Sequence, residues 1–150
     1  MQHRSLADAR CPIARSLDVV GEWWSILILR DAFRGVRRFD DFQTSLGIAR
    51  NMLSRRLKRL VEAGLLETVP YSERPPRHEY RLTEKGRDFY PVLMTLMAWG
   101  NRWAKRRATA VPYSRRTDAP LDPVLIDRAS GEPITPGSVE MRYPGARAAS

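Results

Sequence analysis

Residues 47 to 67 read GIARNMLSRRLKRLVEAGLLE, and this stretch restricts the possible folds more than any other. Five basic side chains fall within ten positions, Arg50, Arg55, Arg56, Lys58 and Arg59, and no acid follows until Glu62. Leu53, Leu57, Leu60 and Val61 recur through it at helical spacing. A wheel of about 100° per residue, with Leu57 toward the core, puts Leu53, Leu60 and Val61 within roughly 60° of it. Asn51, Met52, Arg55, Lys58 and Arg59 lie opposite, Arg56 takes a flank, and Arg50 lies nearer the core side of the first turn. The pattern predicts a helix over about 49–63, stopped by Gly64. Like charges this dense repel one another unless something neutralises them. A DNA phosphate backbone does so while releasing its counterions. The alternative is a basic face that is only solvated.

The neighbouring elements favour the first reading. LDVVGEWWSILILRDAF predicts an amphipathic helix over about 22–34, with Gly35 as its stop. The preceding SLDVV is a candidate short helix ended by Gly21. RFDDFQTS, 38–45, predicts another short helix with Phe39 and Phe42 on one side, broken by Gly47. After Gly64, LLETV and HEYRL have strand character, and PYSERPPR between them is too rich in proline for helix. Together they predict a hairpin with a long basic tip. Thr83 is a candidate N-cap for a helical pattern over 85–106, which Pro91 should kink or restart. A short helix, a tight turn, a basic amphipathic helix and a hairpin make a winged helix-turn-helix. The expected fold class is mainly α with a small β-hairpin, α+β.

In that arrangement the second helix enters the major groove and the hairpin tip reaches the flanking backbone. Arg50, Asn51, Met52, Ser54, Arg55, Arg56, Lys58 and Arg59 are the candidate contacts of the helix, and Arg74 and Arg77 those of the wing, about 70–78. Arginine forks onto guanine edges or holds phosphate, asparagine pairs with adenine, and a methionine can meet a thymine methyl. The partner implied is double-stranded DNA. Pro75 and Pro76 would stiffen the tip.

The excess charge sits with these elements. Residues 1–109 hold 21 Lys and Arg against 12 Asp and Glu, whereas residues 110–150 hold five of each, and the net charge is +9. A basic body attracts polyanions, although an arginine-rich proteome gives the same sum. From about Ala108 the composition shifts to Pro, Ser, Asp and Gly, so the domains expected are 1–107, for DNA binding and dimerisation, and a tail, 108–150. In the tail PVLIDRASGEPI and SVEMRY are candidates for a small hairpin around Ser130-Gly131, against a loose chain. No internal repeat stands out. The absence of a long apolar run argues against a membrane span, and the N-terminal residues do not resemble a secretory signal. A single cysteine suits a reducing cytoplasm.

Enzyme chemistry finds no support in the pattern. The two histidines, His3 and His78, stand far apart in sequence, and no nucleophilic triad, paired-carboxylate site or phosphate-binding glycine loop presents itself. No His and Cys cluster offers a metal site, and no cofactor is expected. An interleaved aromatic and basic sheet for single strands is also missing. Non-specific coating of duplex DNA stays open, because it differs in specificity ratio. Ligand sensing through Trp23, Trp24 and Phe33 by a small-molecule effector stays open too, beside a core or dimer-seam role for those residues.

Three pieces standing in order resemble the HxlR-type winged-helix regulators of bacteria and archaea: CPIARSLDVVGEWWSILILRDAFRG, RRFDDFQTSLGIARNMLSRRLKRLVEAGLLE and YSERPPRHEYRLTEKGRDFYPVLMTLMAWG. They cover about residues 11–106. One departure is Glu22, where the family often has Lys, which puts a basic contact there in question. The resemblance implies a homodimer that represses or activates at a promoter, with the first and last helices of each subunit paired across the two-fold. The stripe Leu93, Leu96, Met97, Gly100 and Trp103 is the candidate seam, and packing within its own domain is the alternative. In some relatives a cysteine at the position of Cys11 senses oxidants or electrophiles. Arg10, Arg15 and a following helix N-terminus would favour a thiolate there, while a lone cysteine also serves as an inert buried residue. Some longer relatives carry paired cysteines in the tail. This tail has none, so no metal site is carried over.

Overall fold

A computed structural model describes residues 5–103 and 110–142 of the chain. The chain separates into two compact units, Met1–Leu93 and Met94–Ser150.

The first unit begins with α1, Pro12–Val20. It starts earlier than SLDVV suggests because Pro12 occupies its first turn, where a proline has the right φ and loses no hydrogen bond. Helix α2, Trp23–Phe33, is apolar almost all round and packs against α1, the next two helices and the hairpin. Its Ile28 and Leu29 are fully buried. Asp31 on the same helix is also fully buried, and its carboxylate accepts from Ser45 Oγ at 2.7 Å and Arg30 Nε at 2.9 Å. That pairing joins α2 to α3, Phe39–Leu46.

Gly47 ends α3 at φ 61°, a left-handed conformation that glycine adopts without steric cost. Helix α4, Arg50–Glu62, follows within three residues. Leu53, Leu57 and Leu60 of α4 are fully buried with Phe42 of α3 and the linking Ile48. Val61 is half-buried.

Strands β1, Leu66–Glu73, and β2, Pro76–Leu82, form the antiparallel hairpin, in register from Leu66↔Leu82 to Glu73↔Pro76 with one irregularity between Pro70 and Ser72. The expected long loop is corrected here: pairing runs out to Glu73 and Pro76, and the tip is Arg74 and Pro75 alone. In a two-stranded sheet each strand keeps a free outer edge, and Pro70 adjoins a bulge, so these prolines cost little pairing. The Tyr80 amide donates to the Arg37 carbonyl at 2.8 Å, which docks the hairpin on the segment entering α3. Edge-to-face contact of Tyr80 with Phe42 adds to it, and burial pushes the Tyr80 phenol above its ordinary pKa.

Thr83 caps the next turn, as its sequence position suggests. Its hydroxyl accepts from the Gly86 amide at 3.0 Å and donates to the Gly64 carbonyl at 2.6 Å. Helix α5, Glu84–Arg87, is a single turn, and α6, Tyr90–Trp103, restarts with Pro91 in its first turn. The remainder of the expected pattern, 104–106, lies outside the described residues.

In the second unit the tail, over its described residues, turns around Ser130-Gly131 where the sequence suggests a small hairpin, closed by an isolated antiparallel bridge rather than by strands. It contains the same turn twice, thirteen residues apart. Ser114 N–H donates to Ala119 O, Asp118 N–H to Ser114 O and Leu121 N–H to Pro112 O. Asp127 N–H donates to Glu132 O, Gly131 N–H to Asp127 O and Ile134 N–H to Leu125 O. Bridges Tyr113↔Pro120 and Ile126↔Pro133 close the two turns, and Asp118 and Gly131 share a positive φ. Ser114 Oγ accepts the amides of Arg116 and Thr117, and Asp127 Oδ2 takes the corresponding place, accepting from Ser130. The amide and hydroxyl of Ser130 hold the Asp127 carboxyl below the usual carboxylate range.

Candidate nucleic-acid interface

The buried leucines of α4 turn Asn51, Ser54, Arg55, Lys58 and Arg59 outward, with Met52 half-covered. Asn51 Oδ1 accepts the Met52 amide at 2.7 Å, which leaves its NH2 group for an acceptor outside the helix. The Arg50 guanidinium lies over the Phe39 ring at 4.7 Å and 3.5 Å from the Asp40 carboxylate.

Arg56 is a correction. Only 8% of it is exposed, and its guanidinium stands 3.1 Å from the Glu22 carboxylate. The flank it occupies is covered by the α1–α2 turn, so it is not offered to a duplex. Arg59 is drawn the same way: its NH2 lies 3.7 Å from Asp18 Oδ2 and donates to the Asp18 carbonyl at 3.2 Å.

The helix therefore carries less free charge than its sequence implies. Acids from α1, the α1–α2 turn and α3 reach Arg59, Arg56 and Arg50, and Glu62 reaches Lys58 at 3.7 Å. Among the described residues, Arg55 is the one cation of α4 that no carboxylate approaches within 4 Å. These exposed pairs are each worth at most about 1 kcal/mol, so Arg50 and Lys58 can exchange a carboxylate for a phosphate at small cost.

Arg74 and Arg77 sit at the hairpin end and are exposed. Between the wing and the first turns of α3 and α4 runs a groove lined by Arg38, Arg50, Arg77 and His78 together with the carboxylates of Asp40 and Asp41. Arg38 was not singled out in the sequence, although the RRF preceding α3 carries the signal. Its guanidinium lies 4.7 Å over the Tyr71 ring and 3.9 Å from Glu79. The groove thus brings together cations from the α3 entry, α4 and β2 beside two acids of α3.

The profile of the HxlR-like helix-turn-helix family matches residues 19–108, more than half of the chain. The chain belongs to the HxlR family. It is an HxlR-type helix-turn-helix transcriptional regulator with a winged-helix fold. It is similar to the HTH-type transcriptional regulator Rv3095 of Mycobacterium tuberculosis, 47% identical over 129 residues, which are 85% of this chain and 82% of that one. Among solved structures it is similar to PA1607, a candidate transcription factor, at 39% identity and a TM-score of 0.81, covering 91% of this chain and 96% of that one. A third likeness is to PA1374 of Pseudomonas aeruginosa, also a candidate transcription factor, at 50% identity and a TM-score of 0.66, covering 92% and 95%.

The seam residues expected for an HxlR dimer are placed unequally. Leu93 is buried in the single chain, as packing within its own domain would have it. Met97 and Gly100 are half-covered. Leu96, Trp99 and Trp103 of α6 are exposed at helical spacing, both tryptophans at 65%. On α1, Ile13 and Leu17 are exposed as well, and so is Trp23 at the start of α2. Cys11, at the N-cap of α1, is exposed rather than buried as an inert filler would be. No described helix is long and apolar enough to cross a membrane.

Proposed function

We propose that this regulator binds an inverted-repeat operator as a homodimer, with α4 in the major groove and the hairpin tip on the flanking backbone. The observation that carries this reading is the outer face of α4, where Asn51, Ser54 and Arg55 are free to meet base edges while the opposite face is fully buried. Arg38, Arg74 and Arg77 fix the register on phosphate. The dimer is supported by the exposed apolar residues of α1 and α6, which a second copy of those helices would cover. Two recognition helices related by a two-fold would read half-sites about 34–36 Å apart.

The test is selection of genomic fragments by the purified protein. An enriched inverted repeat with that spacing is the expected result. Enrichment without a shared sequence would assign the protein to non-specific duplex coating instead. Within the same assay Arg77→Ala should weaken operator and random duplexes by equal factors and flatten the salt slope by about one unit. An unchanged slope would remove Arg77 from the phosphate contacts.

A second reading is favoured by the exposure of Cys11 beside α1. Two Cys11 thiols from two subunits would be oxidised by one peroxide to a disulfide, the peroxide leaving as two waters. The expected outcome is release of operator after mild peroxide in the parent protein and no release in Cys11→Ser. An identical response of both proteins rules the switch out.

A further inference from the structure

The carboxylates behind α4 have a role that its DNA-facing residues do not explain. Asp18 stands in the last turn of α1 and Glu22 is the N-cap residue of α2. Buried Arg56 and exposed Arg59 lie about one turn apart on α4, at 3.1 Å from Glu22 and 3.7 Å from Asp18. Asp18 is itself fixed, since its Oδ1 accepts the Leu6 amide at 2.7 Å and the Ser5 hydroxyl at 3.3 Å. Among the described residues buried Arg56 Nε has no hydrogen-bond partner, and Glu22 is the carboxylate that stands against this guanidinium. Taking a guanidinium out of water is unfavourable without such a partner.

Leucine packing alone leaves a helix some freedom to roll, because apolar attraction is non-directional. Two ion pairs about one turn apart restrict that freedom, because a roll of α4 stretches both. We infer that Glu22, acting through Arg56, is a positioning residue for the recognition helix, with Asp18 and Arg59 as the second point of attachment. The α1–α2 turn thereby sets the angle at which Asn51 and Arg55 meet base edges, and so the sequence selectivity. A lysine at position 22, as family resemblance would supply, would instead oppose Arg56 with like charge. This arrangement therefore goes with the glutamate of this chain.

The inference rests on the proposed DNA-facing role of α4, and the test separates the two. Affinity is measured for a duplex carrying the inverted repeat selected by the parent protein and for a shuffled duplex of equal composition. Simple electrostatics predicts that Glu22→Gln, which makes the protein more positive, tightens both. Positioning predicts that the operator affinity falls about tenfold, the size of one lost base contact, while shuffled DNA is held as well or better. Equal tightening of both duplexes by Glu22→Gln overturns the inference. The reversed pair, Glu22→Arg with Arg56→Glu, is the second variant, checked for folding by circular dichroism. It should recover most of the operator-to-shuffled ratio, and a ratio as low as that of Glu22→Gln counts against positioning. Arg55→Ala is the control. If it leaves both affinities unchanged, the reading of α4 fails; if it abolishes selectivity while Glu22→Gln leaves the ratio intact, only the positioning role fails.

Discussion

Gly86→Ala is expected to destabilise the first unit by about 3 kcal/mol, the upper end of the usual range for an overpacked core. Gly86 is buried in the single turn of α5, and a methyl built on it would overlap the carbonyl oxygen of Leu65. The Leu65 carbonyl carbon would lie 3.0 Å away and Leu82 Cδ2 3.1 Å away. The side chain of Leu82 can turn aside, but the backbone at Leu65 cannot move freely. Its carbonyl accepts the Thr83 amide at 3.1 Å, its amide donates to Leu60 O at 2.9 Å, and β1 begins at the next residue. The same turn is tied to the end of α4 by Lys85 Nζ, which donates to the Ala63 carbonyl at 2.7 Å. Relief of the overlap must therefore lift α5 away from the junction of recognition helix and wing. For a unit of this size the loss corresponds to a fall in Tm of roughly 12–24 °C. A thermal melt followed by circular dichroism checks it. A fall of only a few degrees would mean that α5 is a loosely attached turn and that the wing root is fixed by Tyr80 and Arg37 instead.

The sequence makes the leucine stripe of α4 legible because one helix supplies all of its own periodicity. Leu53, Leu57 and Leu60 fall inward as the wheel places them, and Gly47 and Gly64 bound the helix by their φ values. What the wheel cannot contain is the partner of each arginine. Glu22 and Asp18 are more than thirty residues from Arg56 and Arg59, and only tertiary packing makes Arg56 a buried cation. The length of the hairpin is hidden for a local reason: proline-rich sequence argues against a central strand, whereas both strands here are edges. The repeated turn in the tail is hard to see in the sequence because its two copies share few residue types. Arg115 and Arg128, and Pro120 and Pro133, coincide, but Ser114 corresponds to Asp127 and Asp118 to Gly131. Each pair performs one physical task, accepting amides or adopting a positive φ, with different chemistry.

Arg55→Ala is expected to give the largest loss in DNA recognition, about 1–3 kcal/mol on the preferred operator, or roughly 5- to 150-fold. Arg50 and Lys58 each have a carboxylate at hand, so binding DNA replaces one favourable pairing with another, while Arg56 and Arg59 are held by Glu22 and Asp18. Arg55 has no carboxylate within 4 Å among the described residues, and its whole interaction with a base edge or phosphate is gained on binding. It also lies one turn beyond Asn51 on the exposed face, so the two side chains can address neighbouring base pairs. A bidentate contact to guanine differs from a phosphate contact in one measurable respect. Loss of the base contact lowers operator affinity far more than affinity for random duplex and relaxes sequence choice at a single position. Loss of a phosphate contact lowers both equally and reduces the salt slope. Competition binding at two or more salt concentrations, with operator and random duplex side by side, distinguishes them. Equal losses on both duplexes would make Arg55 a backbone contact and shift base reading to Asn51 and Ser54. The exposed face of α4 would then specify sequence through hydrogen-bonding side chains alone, with its unpaired charge serving only to hold the helix in the groove.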